Sequence, residues 1–118
     1  MREVQSLDEI ARGDIRLGMA AMEVAGDGIA VNMVLPDAVF GCGDNSSGLG
    51  DEVGPDRAAA KGLDPADLQA HYRERNLLKT VIDARDVGRA VLHFAAGRTP
   101  CTGSVLMVDG GVAAAFPR

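Results

Sequence analysis

Two short apolar segments constrain the fold of this chain more than any other feature. The first covers residues 29–35 (IAVNMVL) and ends at Pro36, and the second covers residues 104–108 (SVLMV) and ends at an Asp-Gly-Gly turn. Proline ends a strand because it cannot donate a ladder hydrogen bond. Continuous apolar runs of this length are typical of strands that are covered on both faces. We therefore predict two buried β-strands.

A helical pattern precedes the first strand. Apolar residues recur near helical spacing over residues 7–25, and Ser6 with Glu9 forms a capping-box pattern at their start. Gly26-Asp27-Gly28 then predicts the turn that leads into the strand.

Two further helices are predicted between the strands. The sequence DPAD at residues 64–67 offers an N-cap Asp and a proline at the first helical position, and we expect this helix to reach about Leu78. The sequence DARD at residues 83–86 opens the next helix, which closes near Gly97 and presents one apolar face formed by Val87, Ala90, Val91 and Phe94. Two strands joined through helices favour a right-handed parallel crossover.

Residues 40–55 (FGCGDNSSGLGDEVGP) are expected to form a long loop, since they contain five glycines. A loop of this length is either a functional lid or a disordered segment. It lacks the Gly-Lys-Ser/Thr ending of a phosphate-binding P-loop, and Asp44, Asp51 and Glu52 would repel phosphate.

Composition narrows the function classes. The chain has 118 residues, which allows one domain, and its net charge of −5 argues against nucleic-acid binding. No apolar run is long enough for a membrane span, and the N-terminus has no signal-peptide pattern. We expect a cytoplasmic protein in which Cys42 and Cys101 are reduced thiols, since neither belongs to a CxxC pair.

The remaining polar motifs favour ordinary structural roles. His71 and His93 stand alone on separate predicted helices, and we expect a solvated His71 and a half-buried His93 in place of metal ligands. The charge run Arg73-Glu74-Arg75 is interpreted as a solvated helix face. The Asp109-Gly110-Gly111 sequence is interpreted as a structural turn.

Three motifs in order resemble the C-terminal half of short-chain dehydrogenase/reductases. They are GIAVNMVLPDAV at residues 28–39, Asp86-Val87 at a helix start, and TGSVLMVDGG at residues 102–111. The PDAV variant, the stretch RAAAKGLDPADLQAHYRERNLLK and the ending GGVAAAFPR resemble one subgroup more closely. That subgroup is the dehydrogenase domain of bifunctional rhamnulose-1-phosphate aldolase/alcohol dehydrogenases. The resemblance covers residues from about 17 to 118 and implies a doubly wound Rossmann-type α/β sheet, of which this chain would be the C-terminal part without the nucleotide-binding half.

The resemblance also implies a cofactor-binding segment. In the family, the backbone just after the strand-ending proline touches the nicotinamide carboxamide, which carries over to Pro36, Asp37, Ala38 and Val39. Ligands generally bind outside the carboxyl ends of parallel strands, in agreement with this placement. The alternative is a plain strand-to-loop turn. A threonine that contacts the cofactor phosphates in many members is Gly41 here.

The family's catalytic Tyr-x-x-x-Lys pair is not matched. By position the tyrosine falls at Ser6 and the lysine at Ile10, and neither side chain can supply the proton or the cation that the reaction needs. The family's glycine-rich turn has no counterpart either. We therefore expect no catalytic residue in this chain. The family's cofactor is NAD or NADP, and we expect none bound by this chain alone.

Three functional interpretations follow. The first is a portion of an NAD(P)-dependent oxidoreductase that acts on the hydroxyl/carbonyl pair of a sugar-derived alcohol or aldehyde. The second is a non-catalytic module that assembles with itself or with an intact dehydrogenase subunit, because in the family the final strand and its helix pack against a sister subunit. The third is a truncated gene product without function. The first two predict small-molecule or protein partners, with no nucleic acid and no membrane.

Overall fold

The computed structural model describes the backbone of residues 7–113 and the side chains of residues 15–48 and 50–113. Short 3-10 turns lie at Ala25–Asp27 and Pro65–Asp67. The elements in chain order are α1 (Leu7–Val24), β1 (Met33–Pro36), β2 (Val39–Phe40), α2 (Gly48–Ala60), α3 (Leu68–Arg75), β3 (Ile82–Asp83), α4 (Ala84–Ala95) and β4 (Val105–Val108).

The chain divides into two units. The first contains the described residues up to Val34 together with Val91–Leu106, and the second contains Leu35–Ala90 and the described residues from Met107 onward. β1 and β4 are neighbours in one two-stranded sheet, and β2 and β3 form another. The Met33 N–H donates to the Ser104 carbonyl at 2.9 Å, and the Asp37 N–H donates to the Val108 carbonyl at 3.2 Å. Because both strands advance together between these bonds, the pairing is parallel, as predicted.

The first unit contains α1 and the start of the β1–β4 pair. Leu17 and Ala21 form the buried side of α1, and Gly103 lies against Ala21 in ordinary van der Waals contact. The predicted helix over 7–25 is confirmed within one residue at its end, and Gly28 supplies the left-handed turn with φ +75°. The capping residue Ser6 lies outside the described residues.

The first strand is shorter than predicted, and an asparagine explains why. The Asn32 side chain donates to the Cys101 carbonyl at 3.0 Å and accepts from the Ser104 N–H at 3.1 Å. These bonds replace ladder bonds over the first part of the predicted 29–35 strand, so β1 begins only at Met33. The prediction that both strands are covered on both faces is wrong in part, since Ile29, Leu35 and Met107 are exposed.

In the second unit, the predicted loop over 40–55 is wrong in its second half. Ser47 caps a helix that begins at Gly48, since its hydroxyl accepts from the Gly50 N–H at 3.1 Å. Glycines and Pro55 conceal this helix in the sequence, because both residue types disfavour helix interiors. Gly54 and Ala58 are its buried positions, and the Leu68 side chain lies 3.9 Å from the Cβ position of Gly54. Tertiary packing on a small-residue face therefore outweighs low local propensity.

The predicted caps around the later helices are confirmed. The Asp64 carboxylate accepts from the Ala66 N–H at 2.9 Å and starts the 3-10 turn before α3. Asp83 and Asp86 cap α4 reciprocally: the Asp83 carboxylate accepts from the Asp86 N–H, and the Asp86 carboxylate accepts from the Asp83 N–H. α3 ends at Arg75, short of the predicted Leu78, because the next residue is extended.

The apolar face predicted for α4 is confirmed for three of its four residues. Ala90 is buried and Val87 and Phe94 are half-buried, whereas Val91 is exposed. No helix among residues 7–113 is both long and apolar enough to cross a membrane.

Candidate functional site

The segment Pro36–Val39 lies where parallel pairing brings the carboxyl ends of β1 and β4 together. Pro36 is the last residue of β1 and is exposed, while Asp37, Ala38 and Val39 are half-buried. Only Asp37 and Ala38 separate β1 from β2, whose Val39 pairs with Ile82 of β3. The segment therefore occupies the edge of the sheet at which α/β proteins bind ligands. Its contact with nicotinamide stays a prediction.

The Asp37 carboxylate forms an ion pair with the Arg75 guanidinium of α3. The prediction that Arg73-Glu74-Arg75 forms a solvated helix face is therefore wrong for Arg75. Arg73 and Glu74 match that prediction, since they pair with each other at 3.0 Å at the exposed surface. Arg75 instead reaches back to the end of β1.

Tyr72, the sole tyrosine of the chain, joins several side chains around this pair. The Arg75 guanidinium carbon lies 4.6 Å from the centre of its ring, and the Lys61 Nζ lies 5.7 Å from it. The Phe40 ring of β2 packs on it at 6.0 Å between centroids, tilted by 59°. Sequence reasoning placed Tyr72 away from the family's catalytic tyrosine but missed this cluster, because nothing in residue spacing brings 37, 40, 61 and 72 together.

The glycines at the start of the 40–55 segment have a local explanation. The Cys42 N–H donates to the Asn45 carbonyl at 2.9 Å, and the reverse bond measures 3.1 Å. A Cβ on Gly41 would lie 2.5 Å from the Asn45 carbonyl oxygen, so only glycine fits this turn. Gly41 therefore serves the tight turn, which agrees with the absence of a phosphate-cradling pattern.

The segment after β4 is held against the residues that follow α3. The Leu77 N–H donates to the Gly111 carbonyl at 2.8 Å, and the Leu78 N–H donates to the Gly110 carbonyl at 3.0 Å. The Asp109 carboxylate accepts from the Gly111 N–H at 2.8 Å. This confirms the structural turn predicted for Asp109-Gly110-Gly111.

Asn76 is the buried anchor of that turn, with 3% of its surface exposed. Its amide donates to the Thr80 carbonyl at 2.7 Å and accepts from the Thr80 N–H at 3.1 Å. A Cβ on Gly110 would lie 2.7 Å from the Asn76 amide oxygen. With Asn76 in this position, the left-handed site at 110 therefore accommodates only glycine.

An open groove of about 510 Å³ lies beside this turn. Its apolar walls include the exposed side chains of Leu77, Leu78 and Met107. Asp86 and Arg89 also line it and form an ion pair with each other at 3.1 Å. No pattern in the sequence predicts this groove, because its walls come from segments far apart along the chain.

The other predicted residues take their places as follows. His71 is half-buried and lies 5.6 Å from the Tyr72 ring, and His93 is exposed, so the two predicted environments are reversed. Cys42 and Cys101 are free thiols. Among the described residues there is no group of three or more His, Cys, Asp or Glu that could hold a metal ion. Ser6 lies outside the described residues, and Ile10 lies in α1.

Comparison with known proteins adds a sequence relative. No protein-family model matches the chain. The uncharacterized oxidoreductase YuxG of Bacillus subtilis (strain 168) is 44% identical over 92 residues, which cover 77% of this chain and 13% of that protein. The chain thus spans a small part of the curated relative it matches.

Solved structures add the fold. Sorbitol-6-phosphate 2-dehydrogenase SrlD from Erwinia amylovora matches with a TM-score of 0.63 and 24% identity, over 84% of this chain and 37% of that chain. A short-chain dehydrogenase family protein from Francisella tularensis subsp. tularensis SCHU S4 matches with a TM-score of 0.69 and 21% identity, over 92% and 42%. L-sorbose reductase from Gluconobacter frateurii, solved with NADPH and L-sorbose, matches with a TM-score of 0.66 and 21% identity, over 92% and 40%.

The class that emerges is the Rossmann-like α/β fold of short-chain dehydrogenases, of which this chain matches a part. Its parallel strands and flanking helices confirm the predicted fold class. The sequence relative is itself named as an oxidoreductase.

Proposed function

We propose that this chain is the nicotinamide-side part of a short-chain oxidoreductase that uses NAD or NADP. The observation that carries the proposal is the bond from the Asp37 N–H to the Val108 carbonyl, at 3.2 Å. It holds Pro36–Val39 at the carboxyl ends of two parallel strands, where a dinucleotide would lie. The likeness to dehydrogenase structures supports the same placement.

The proposed reaction interconverts a hydroxyl and a carbonyl group on a sugar-derived alcohol or aldehyde. Hydride transfer itself belongs to the nicotinamide, and this chain would supply one wall of the site. Similarity to the dehydrogenase domain of rhamnulose-1-phosphate aldolase/alcohol dehydrogenases motivates rhamnose-derived compounds as first substrates to test.

We also propose that residues 1–118 alone do not catalyse this reaction, because Ser6 and Ile10 stand at the positions of the catalytic pair. The purified 118-residue chain is assayed for turnover with NAD and NADP and with lactaldehyde or propanediol, and the natural protein at its full length is titrated with NAD and NADP by calorimetry. We expect no turnover by the 118-residue chain and dinucleotide binding by the natural protein. Turnover by the 118-residue chain above the level of heat-denatured chain would refute its inactivity. Absence of dinucleotide binding by the natural protein would refute the oxidoreductase proposal.

The second candidate function is assembly with another copy of this chain or with an intact dehydrogenase subunit. It is favoured by apolar side chains left at the surface around the open groove. Leu77 is 58% exposed, Leu78 75% and Met107 52%. Burial of such side chains is a main driving force for association.

Sedimentation velocity tests this second candidate. We expect a defined dimer whose fraction falls on Leu78→Asp, because a buried charge opposes association. Asp56→Ala serves as the control, since Asp56 is an exposed residue of α2 outside the groove. A folded monomer at all concentrations would exclude self-assembly, and mixing with an intact dehydrogenase then tests the other partner.

A further inference from the structure

Tyr72 is the meeting point of side chains from several elements of the second unit. Its ring contacts Phe40 of β2, Lys61 at the C-cap of α2 and Arg75 of its own helix. The 4.6 Å distance from the Arg75 guanidinium carbon to the ring centre lies within the range of a cation–π interaction. The ring therefore restricts the directions in which the Arg75 guanidinium can point.

Arg75 uses that orientation to hold Asp37. The two side chains form an ion pair in which Arg75 is 39% exposed and Asp37 is 26% exposed. A planar guanidinium binds a carboxylate in a defined geometry, which a flexible ammonium group does not reproduce. The Asp37 N–H is held separately by the Val108 carbonyl. Asp37 is therefore restrained through both its backbone and its side chain.

Asp37 is the one residue of Pro36–Val39 whose side chain can form an ion pair or a hydrogen bond. The other three residues, Pro36, Ala38 and Val39, have apolar side chains. The flanking residues are already held by strand pairing, Val39 with Ile82 among them. The two-residue bend at Asp37 and Ala38 is the part that a restraint can still influence.

We propose that Tyr72 and Arg75 form a clasp that positions the Asp37–Val39 backbone for the nicotinamide group. Both are positioning residues, because they act through Asp37. The inference rests on the proposed oxidoreductase function for its ligand. A segment held in its binding conformation before the ligand arrives loses less conformational entropy on binding, so the clasp increases cofactor affinity.

The clasp itself is tested first, by NMR on the 118-residue chain. Stacking on Tyr72 shifts the Arg75 side-chain protons upfield through the ring current. Tyr72→Phe keeps the ring and the shift, whereas Tyr72→Leu removes both. Amide hydrogen exchange of Asp37 becomes about threefold faster in Arg75→Ala, since the open state becomes more populated. Arg73→Ala is the matched control, because Arg73 lies on the same helix and its ion pair among the described residues is with Glu74.

Asp37→Asn provides a second variant that keeps the size of the side chain while removing its charge. We expect faster exchange of the residue-37 amide here as well. Unshifted Arg75 side-chain protons in the wild-type chain would overturn the clasp. Equal exchange in wild type, Arg75→Ala and Asp37→Asn would overturn it also.

The consequence for the cofactor is tested in the natural protein at its full length, by calorimetric titration with NAD or NADP. Arg75→Ala raises the dissociation constant about threefold, because the segment must then be ordered at the moment of binding. Arg75→Lys restores part of the lost affinity, and Arg73→Ala leaves the dissociation constant unchanged. An unchanged dissociation constant in Arg75→Ala, with a wild type that binds, would overturn the positioning role. A wild type that binds neither dinucleotide refutes the proposed function instead, and the NMR result distinguishes the two failures.

Discussion

The segments after β1 and after β4 begin at the carboxyl ends of neighbouring parallel strands, yet they are held by different interactions. After β4, Gly110 packs on Asn76, whose amide is buried and hydrogen-bonded. After β1, Asp37 is held by a half-exposed ion pair with Arg75. We call the first arrangement the asparagine lock; the second is the ion pair through which the clasp of Tyr72 and Arg75 acts.

The two arrangements are expected to differ in how much stability a substitution removes. Buried, neutral and fully paired hydrogen bonds lose much stability when one partner is removed, since the remaining groups stay unpaired. Ion pairs near the surface contribute little stability, because water competes for both charges. The asparagine lock is thus suited to a permanent turn, and the clasp to a segment that faces a ligand.

Gly110→Ala should give the largest effect. The added Cβ would lie 2.7 Å from the Asn76 amide, which its hydrogen bonds to Thr80 hold in place. The backbone φ of +65° at this position is also unfavourable for alanine. We expect a loss of about 3 kcal/mol in the free energy of unfolding, from strain and overpacking together, measured by urea denaturation.

Gly62→Ala is the matched control for this variant. Gly62 has a similar φ of +67° but open space around its Cβ position. Only the backbone cost of about 1 kcal/mol should remain there. If both variants lose the same stability, the contact with Asn76 has no influence and the lock is wrong.

Asn76→Ala should have the next largest effect. It removes two hydrogen bonds between the buried amide and the backbone of the exposed Thr80, and at about 1 kcal/mol each we expect a loss of about 2 kcal/mol by the same measurement. It also removes the atoms that an alanine at 110 would strike. The double variant should therefore lose less stability than the two single losses added together. Strict additivity would contradict the contact.

Arg75→Ala should change stability much less, by under about 1 kcal/mol, because the pair with Asp37 is partly exposed. Arg73→Ala, in a fully surface pair, should change it by less still. Thermal unfolding of both variants provides the comparison. A loss in Arg75→Ala as large as that in Asn76→Ala would show that the clasp is a structural element like the lock.

The smallest expected effect is that of salt on the stability lost in each variant. Raising the ionic strength to about 1 M screens the charges of Asp37 and Arg75, so the stability cost of Arg75→Ala should shrink toward zero. The cost of Asn76→Ala should stay constant, since its bonds involve no charge. Urea denaturation of wild type and both variants at low and high salt measures this. A salt-dependent cost for Asn76→Ala would contradict the distinction.

Much of the local structure could be predicted from the sequence. Asp64, Asp83 and Gly28 act over one to three residues of chain, and their caps and turn form where the pattern predicts them. The helix α2 could not be predicted, because its glycines and Pro55 disfavour a helix and its stability comes from packing around Gly54 and Ala58. The environments of His71 and His93 were reversed, since burial depends on neighbours distant in sequence.

The candidate site divides in the same way. The sequence by itself determined that the strand ends at Pro36, because proline cannot continue the ladder of hydrogen bonds. It also determined that Asp109-Gly110-Gly111 turns. Only the tertiary structure decided that Asp37 pairs with Arg75 and that Gly110 lies against the Asn76 side chain. The physical reason is that backbone preference acts between adjacent residues, whereas ion pairs and buried amides need partners that only folding brings together.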